Sequence, residues 1–340
     1  MSIISVKKLC KNFTILNRHE GLKGAIKDLF SRDYKTIEAV RQIDFSIEPG
    51  EIVGFVGPNG AGKSTTIKML TGVLKPDSGS ILVNGLEPFG NQRVNAKNIA
   101  VVFGQRTQLW WDLPVIESFH LLKEIYKISQ EKFHAVLDSF NRLVALEELY
   151  AKPVRSLSLG QRMLCDIAAS FLHNPKIIFL DEPTIGLDIS VKSKIRILIQ
   201  ELNREHNTTV ILTTHDISDI EALCKRIIII DKGSLVYDGP IQKVRSLIKS
   251  YRALKITLGQ TAIPEDYKQI DEFCQANFIK EKVTTEIQDD GWFKISFSEE
   301  DYQLMEILNS LTGRFPVKDI KVEEISTESV IRKIYEGALA

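Results

Sequence analysis

The sequence predicts an α/β fold, a sheet of buried strands with helices packed on it, followed by a smaller α/β domain. Three observations predict this. Residues 52–57, IVGFVG, and residues 177–182, IIFLDE, are apolar runs ending at glycine and at two acids. Uninterrupted apolar runs of this length mark strands buried on both faces, as in parallel sheets. The first run leads through a glycine-rich loop into TIKMLTGVL, which has helical spacing. Beyond residue 245 the character changes to short alternating runs separated by helical stretches.

Bulk properties bound the function classes. A length of 340 residues suits about two domains. With 44% hydrophobic and 26% charged residues the chain is far from a disordered composition. Lys+Arg and Asp+Glu both number 44, so no net field draws the protein to a polyanion, and nucleic acid is not an expected partner. Cys10, Cys165, Cys224 and Cys274 form no C-x-x-C pair. That argues against zinc and against a disulfide scaffold, and fits a reducing cytosol. The start, MSIISVKKLCKNF, lacks a signal-peptide core, and the apolar runs fall far short of the roughly 20 residues that cross a bilayer. Any membrane role is therefore expected to come through a partner.

The loop after the first strand is GPNGAGKST: Gly57, Pro58, Asn59, Gly60, Ala61, Gly62, Lys63, Ser64 and Thr65. This is G-x-x-x-x-G-K-S between a strand and a helix, the context that gives the pattern its meaning. Glycines let the backbone curl so that successive N–H groups face phosphate oxygens, and the helix N-terminus adds its positive end. Lys63 is expected to reach the β- and γ-phosphates of a nucleotide and the Ser64 hydroxyl to hold Mg²⁺. At the carboxyl end of the second run, Asp181 is placed to bind Mg²⁺ and Glu182 to take a proton from a water attacking the γ-phosphate.

With these motifs on the page, the chain closely resembles the ABC ATPase family over residues 1–245. The order is the family's: GPNGAGKST, Gln105 after AVVFG, LSLGQ at 157–161, IIFLDEPTIGLD, and TTHD at 213–216. The resemblance implies a P-loop NTPase of ABC type, with a mixed sheet core, an antiparallel β subdomain and a helical subdomain at about 90–172. It implies ATP and Mg²⁺ as cofactors, a homodimer with a second ATPase subunit, and transmembrane permease subunits on other chains. The expected location is the cytoplasmic face of the membrane. By the same resemblance Ser158, Gly160 and Gln161 contact the γ-phosphate held by the partner's Lys63. Gln105 links Mg²⁺ and the attacking water to the permease side, Asp188 communicates across the dimer, and His215 touches the γ-phosphate. Two positions depart from the family's usual pattern, Leu159 in place of glycine and Gly186 in place of alanine; neither removes a polar group. The adenine-stacking aromatic is Phe13, after the first strand, or Tyr34, at the usual distance from the P-loop.

Residues 14–35 look like an insertion. Within it GLKGAIKDLF places Leu22, Ile26, Leu29 and Phe30 on one helical face, either packed on its own domain or touching a membrane or permease. The adjacent Trp110 and Trp111 cannot both face one core from a regular element, so at least one is expected at the surface. The FGQRTQLWWDLP stretch, the insertion and LSLGQ together look like the ATPases of type-2 ABC exporters. Residues 246–340 are expected to form an accessory α/β domain. Its strands would lie in RALKITL, KVTTEIQ, WFKISF and VKDIKVEEI, with helices near 264–276, 302–312 and 327–337.

Overall fold

The computed structural model describes residues 2–16, 34–104, 106–214, 216–244, 251–258, 264–279, 283–288, 291–299 and 301–324. The chain divides into two compact units, Met1–Gly239 and Pro240–Ala340.

In the first unit β1 (Ile4–Leu16), β2 (Tyr34–Ile47) and β4 (Ser78–Val83) form an antiparallel sheet in the order β2-β1-β4. Its inner face follows from alternation: Ile43, Phe45 and Ile47 are buried at every second position of β2. The Phe45 ring lies 5.9 Å from that of Phe55 in the central sheet and joins the two layers. Pairing continues from Phe13↔Ile37 to Leu16↔Tyr34. Residues 14–16 and 34–35, the two ends of the stretch read above as an insertion, pair as hairpin arms, because cross-strand pairing carries both strands past the point where the apolar pattern fades. Residues 17–33, with the amphipathic GLKGAIKDLF, lie outside the described residues.

The central sheet has the order β5-β6-β7-β3-β8-β9. Its members are β3 (Ile52–Val56), β5 (Ile99–Phe103), β6 (Ile177–Asp181), β7 (Thr209–Thr213), β8 (Arg226–Asp231) and β9 (Ser234–Pro240). β5 to β8 pair in parallel through β3, β6 and β7. Layers on both faces explain their unbroken apolar sequences. β9 returns beside β8 after Lys232 and Gly233, both at positive φ, the two-residue turn that suits an antiparallel hairpin. The carboxyl ends of β3, β5, β6 and β7 thus share one edge of the sheet, where ligands bind in open α/β folds.

Helices α1 (Lys63–Leu70), α2 (Gln92–Ala96), α3 (Val115–Tyr126), α4 (Gln130–Val144), α5 (Leu159–Phe171), α6 (Ile189–His206) and α7 (Ile217–Leu223) complete this unit. α4 buries Phe133, Leu137 and Phe140 at i, i+4 and i+7, and Phe140 meets Phe171 of α5 at 6.3 Å. Trp110 and Trp111 are 39% and 48% exposed, so both rings lie at the surface. The guanidinium of Arg162, on α5, sits 4.7 Å from the Trp111 ring centroid.

The second unit runs β10 (Tyr251–Thr257), α8 (Pro264–Asn277), β11 (Val283–Ile287), β12 (Phe293–Ser298), α9 (Leu304–Thr312), β13 (Asp319–Glu324). Its sheet order, β11-β12-β10-β13 with antiparallel neighbours, makes it a split βαβ fold. Leu254, Ile256, Ile270, Phe293, Ile295 and Ile307 pack together as its core. The helix expected near 327–337 lies outside the described residues.

Candidate nucleotide site

The glycine loop joins β3 to α1 under tight backbone constraints. A Cβ on Gly57 would stand 2.3 Å from the Ile230 carbonyl oxygen, and one on Gly62 would stand 2.4 Å from that of Ala39. Gly62, the N-cap of α1, also holds φ 108°, which a side chain resists. Lys63 Nζ donates to the carbonyls of Gly57 at 2.6 Å and Pro58 at 3.1 Å. Burial pulls the lysine's pKa below its usual value, while the charges of Glu182 and Asp181 oppose the shift.

The paired acids come from β6. Parallel register sets Asp181 beside Phe103 on one side and Thr213 on the other. The Thr213 hydroxyl donates to Asp181 Oδ1, and the Thr213 carbonyl accepts from Glu182 N at 2.9 Å. Glu182 holds φ 54°, a left-handed conformation that turns the chain out of the strand at the second acid. Gly104 N donates to the Asp181 carbonyl at 2.8 Å, and a Cβ there would fall 2.1 Å from the Glu182 carbonyl oxygen.

Loop and acids enclose a pocket of about 410 Å³. Asn59, Gly60, Gly62, Lys63, Ser64 and Thr65 line one side, and Asp181 and Glu182 another. Gly57 and Pro58 stand behind as carbonyl partners of Lys63, and the Ala61 carbonyl accepts from Gly233 N at 3.0 Å. Gln105 and His215 lie outside the described residues. The neighbours of Gln105, Gly104 and Arg106, both line the pocket. Arg106, Phe103 and Ala39 were missed by sequence reasoning. Only for Arg106 was there a signal, a cation directly after Gln105.

Asp216, beside His215, caps α7 by accepting from Ser218 N at 3.0 Å. Burial would raise its pKa, but the Lys192 ammonium and the Ser218 hydroxyl prevail and hold it at about 2. The loop following Glu182 is bolted down from the same side. Thr184 donates to Asp219, which is fully buried and takes the Nε–H of Arg196 at 2.6 Å. Asp188 ends this loop as the N-cap of α6, its Oδ1 accepting from Val191 N at 3.0 Å.

Ser158 is the N-cap of α5 in a capping box. Its hydroxyl accepts from Gln161 N at 3.2 Å, and Gln161 Oε1 accepts from Ser158 N at 3.1 Å. Gly160 is buried, with Val191 Cγ1 2.7 Å from where its Cβ would be. None of Ser158, Gly160 and Gln161 lines the pocket that holds Lys63. Phe13 stands opposite Ile37, two residues before the pocket-lining Ala39, whereas Tyr34 is five residues away. At about 3.3 Å per residue these are roughly 7 and 17 Å along the strand.

A glycine loop at a helix N-terminus, a buried lysine and paired acids at the carboxyl ends of parallel strands define a P-loop nucleotide hydrolase. The family profile described as ABC transporter matches residues 40–185. The linearmycin resistance ATP-binding protein LnrL of Bacillus subtilis is 35% identical over 66% of this chain and 71% of its own length. The methionine import ATP-binding protein MetN of Latilactobacillus sakei is 28% identical over 89% of this chain and 86% of its own. Among solved structures, a dimeric ATP-binding cassette in a post-hydrolysis state with ADP and Pi superposes with a TM-score of 0.56 at 27% identity, covering 70% of this chain and 98% of that one. This chain belongs to the ABC transporter ATP-binding proteins and is an ATPase. Among the described residues no helix is long and apolar enough to cross a membrane.

Proposed function

We propose that this chain is the ATPase subunit of an export system, that two copies close around two Mg·ATP, and that closure and hydrolysis drive separate membrane permease subunits. The observation that carries the dimer is the separation within one chain: Lys63, Ser64, Asp181 and Glu182 share a pocket that Ser158, Gly160 and Gln161 do not reach. A second copy supplies the missing wall.

In this reading the loop amides and Lys63 hold the β- and γ-phosphates. Ser64 and Asp181 offer one hydroxyl and one carboxylate oxygen, a hard donor set that suits Mg²⁺ shared with phosphates. The ion supplies charge neutralisation at the transferring phosphoryl group. Glu182 accepts the proton of the attacking water, Gln105 and His215 border that water and the γ-phosphate, and Asp188 contacts the other copy. Phe13 is the better placed of the two aromatics to stack on adenine. The capping box uses a lone pair of Ser158 Oγ and leaves its proton to donate to the partner's γ-phosphate; Gln161 keeps its Nε2 protons likewise.

Export is favoured by the likeness to a resistance protein, since resistance is served by removing a compound. Import is the second reading, favoured by the MetN likeness, which extends over more of this chain. Tagged Glu182→Gln protein, which lacks the base but keeps the phosphate loop, is to be recovered from detergent-solubilised membranes with and without Mg·ATP. A polytopic membrane protein enriched with Mg·ATP is the expected result, and its identity and direction of transport separate export from import. Recovery of only ribosomal, nucleic-acid or soluble partners from membranes shown to retain their complexes would sink the transport reading.

A further inference from the structure

Outside the nucleotide site, a pocket of about 670 Å³ lies where the α3–α4 turn meets the segment after α5. That is within the size range of sites for small organic ligands. Ile128 and Leu172 contribute apolar surface, and the ring of Tyr126 stacks on that of His173 with centroids 4.1 Å apart and planes 9° from parallel. Lys97, Lys127 and Lys132 also line it. Among the described residues no carboxylate lines this pocket, and none of these three lysines has an ion pair. Three exposed lysines without an ion pair, beside apolar surface, give the pocket a positive lining whose field a bound anion would satisfy.

Two further features mark the place as built. Lys127 ends α3 at φ 54°, a left-handed C-cap position that glycine or asparagine more commonly takes. Burial pushes the His173 imidazole pKa down, against the hydrogen bond from its Nε2 to the Ile99 carbonyl at 3.0 Å. The Nδ1 atom of this ring is buried with no hydrogen-bond partner. The pocket borders the C-terminus of α5, whose N-terminus carries Ser158. Thirteen residues of helix separate the two ends by about 20 Å.

We propose that this pocket binds a small amphiphilic anion, a phosphate or carboxylate head on an apolar body, at a site distinct from that of ATP. The lysines take the head, and the Tyr126–His173 stack with Ile128 and Leu172 takes the body. A soluble metabolite and a phospholipid share this chemistry.

The test titrates the full-length chain with octyl phosphate by calorimetry while Mg·ATP saturates the nucleotide site, against the variant Lys127→Gly/Lys132→Gln. Glycine suits φ 54°, so Lys127→Gly removes the charge without straining the turn. The wild type is expected to bind one octyl phosphate, and the variant to bind it at least about tenfold more weakly, the loss of two charge-assisted contacts. Octanol and inorganic phosphate, each half of the ligand, should bind about tenfold more weakly than octyl phosphate to the wild type. An unchanged rate of ATP hydrolysis in the variant reports an intact fold. Vesicles containing phosphatidylglycerol are the second arm. Retention of wild type but not variant on vesicles identifies a lipid headgroup as the source, and binding of octyl phosphate alone identifies a soluble anion. Equal affinity of wild type and variant, octanol binding as tightly as octyl phosphate, or binding in neither arm overturns the proposal.

Discussion

The hydroxyl of Thr213 hydrogen-bonds the carboxylate of Asp181 across the β6–β7 register, and the Thr213 carbonyl holds the amide of the next residue, Glu182. One buried residue thus orients both acids at the end of β6. Its backbone bond survives any substitution, but its hydroxyl does not. Thr213→Val, close in shape, is expected to lower the ATPase rate by about tenfold to a hundredfold through the loss of a hydrogen bond to a charged group. Thr213→Ser is expected to retain most of the rate. Steady-state phosphate release decides it: wild-type turnover by the valine variant would show that Asp181 needs no such support.

Lys63, Ser64, Asp181 and Glu182 could be recognised in the sequence because each lies in a short contiguous motif whose spacing carries its chemistry. Thr213 and Phe103 could not, because strand register, a long-range property, sets them on either side of Asp181. The hairpin arms at 14–16 and 34–35 were hidden for the same reason, since cross-strand pairing leaves no mark on a strand whose partner is unknown. In the tail, alternation located the four strands and the two described helices within a residue or two, while the order β11-β12-β10-β13 depends on pairings between segments far apart in the chain. Left-handed Glu182 is likewise invisible, because nothing in its type asks for φ 54°.

Gly104 closes the strand of AVVFG against the turn at Glu182. A methyl group there would meet the Glu182 carbonyl oxygen at 2.1 Å and the Asp181 carbonyl oxygen at 3.2 Å, both backbone atoms that cannot swing away. Gly104→Ala is therefore expected to destabilise the protein by about 3 kcal/mol and to displace Glu182 enough to abolish most turnover. Gly85→Ala is the control, because no atom lies within 4 Å of its Cβ position and only the φ of 77° is strained. Denaturant unfolding and phosphate release measure both effects; a Gly104 variant no worse than the Gly85 variant would show that the turn relaxes freely.

Phe13 and Tyr34 lie on the same hairpin at different distances from the nucleotide pocket. Both rings are exposed, at 38% and 54%, so neither is committed to the core. Stacking of one base on an aromatic ring contributes about 1–3 kcal/mol. Phe13→Ala is expected to weaken ATP binding by about tenfold or more, and Tyr34→Ala to leave it within about twofold. Equilibrium titration of each variant with ATP checks this; the opposite order would assign the stacking to Tyr34.

Asp166 ties α5 to the segment after Gln105. Its Oδ1 accepts from the Thr107 hydroxyl at 2.9 Å and from Gln108 N at 3.0 Å. Burial pushes the carboxyl up to about 6, against the lowering influence of those hydrogen bonds and of Arg162. In the unfolded chain the group returns to its ordinary 3.8, so the fold favours the protonated form. Between these values the native state binds more protons than the unfolded state, and stability falls as pH rises. The contribution is full below about pH 4 and is lost as pH passes 6, a change of about 3 kcal/mol for a shift of two pH units. Asp166→Asn keeps an acceptor for Thr107 and Gln108 but cannot ionise. The unfolding free energy of the variant relative to wild type should therefore climb between about pH 4 and pH 6 and level off above that. Denaturant unfolding across this range reads the difference, and a flat profile would mean that Asp166 titrates alike in the folded and unfolded chain.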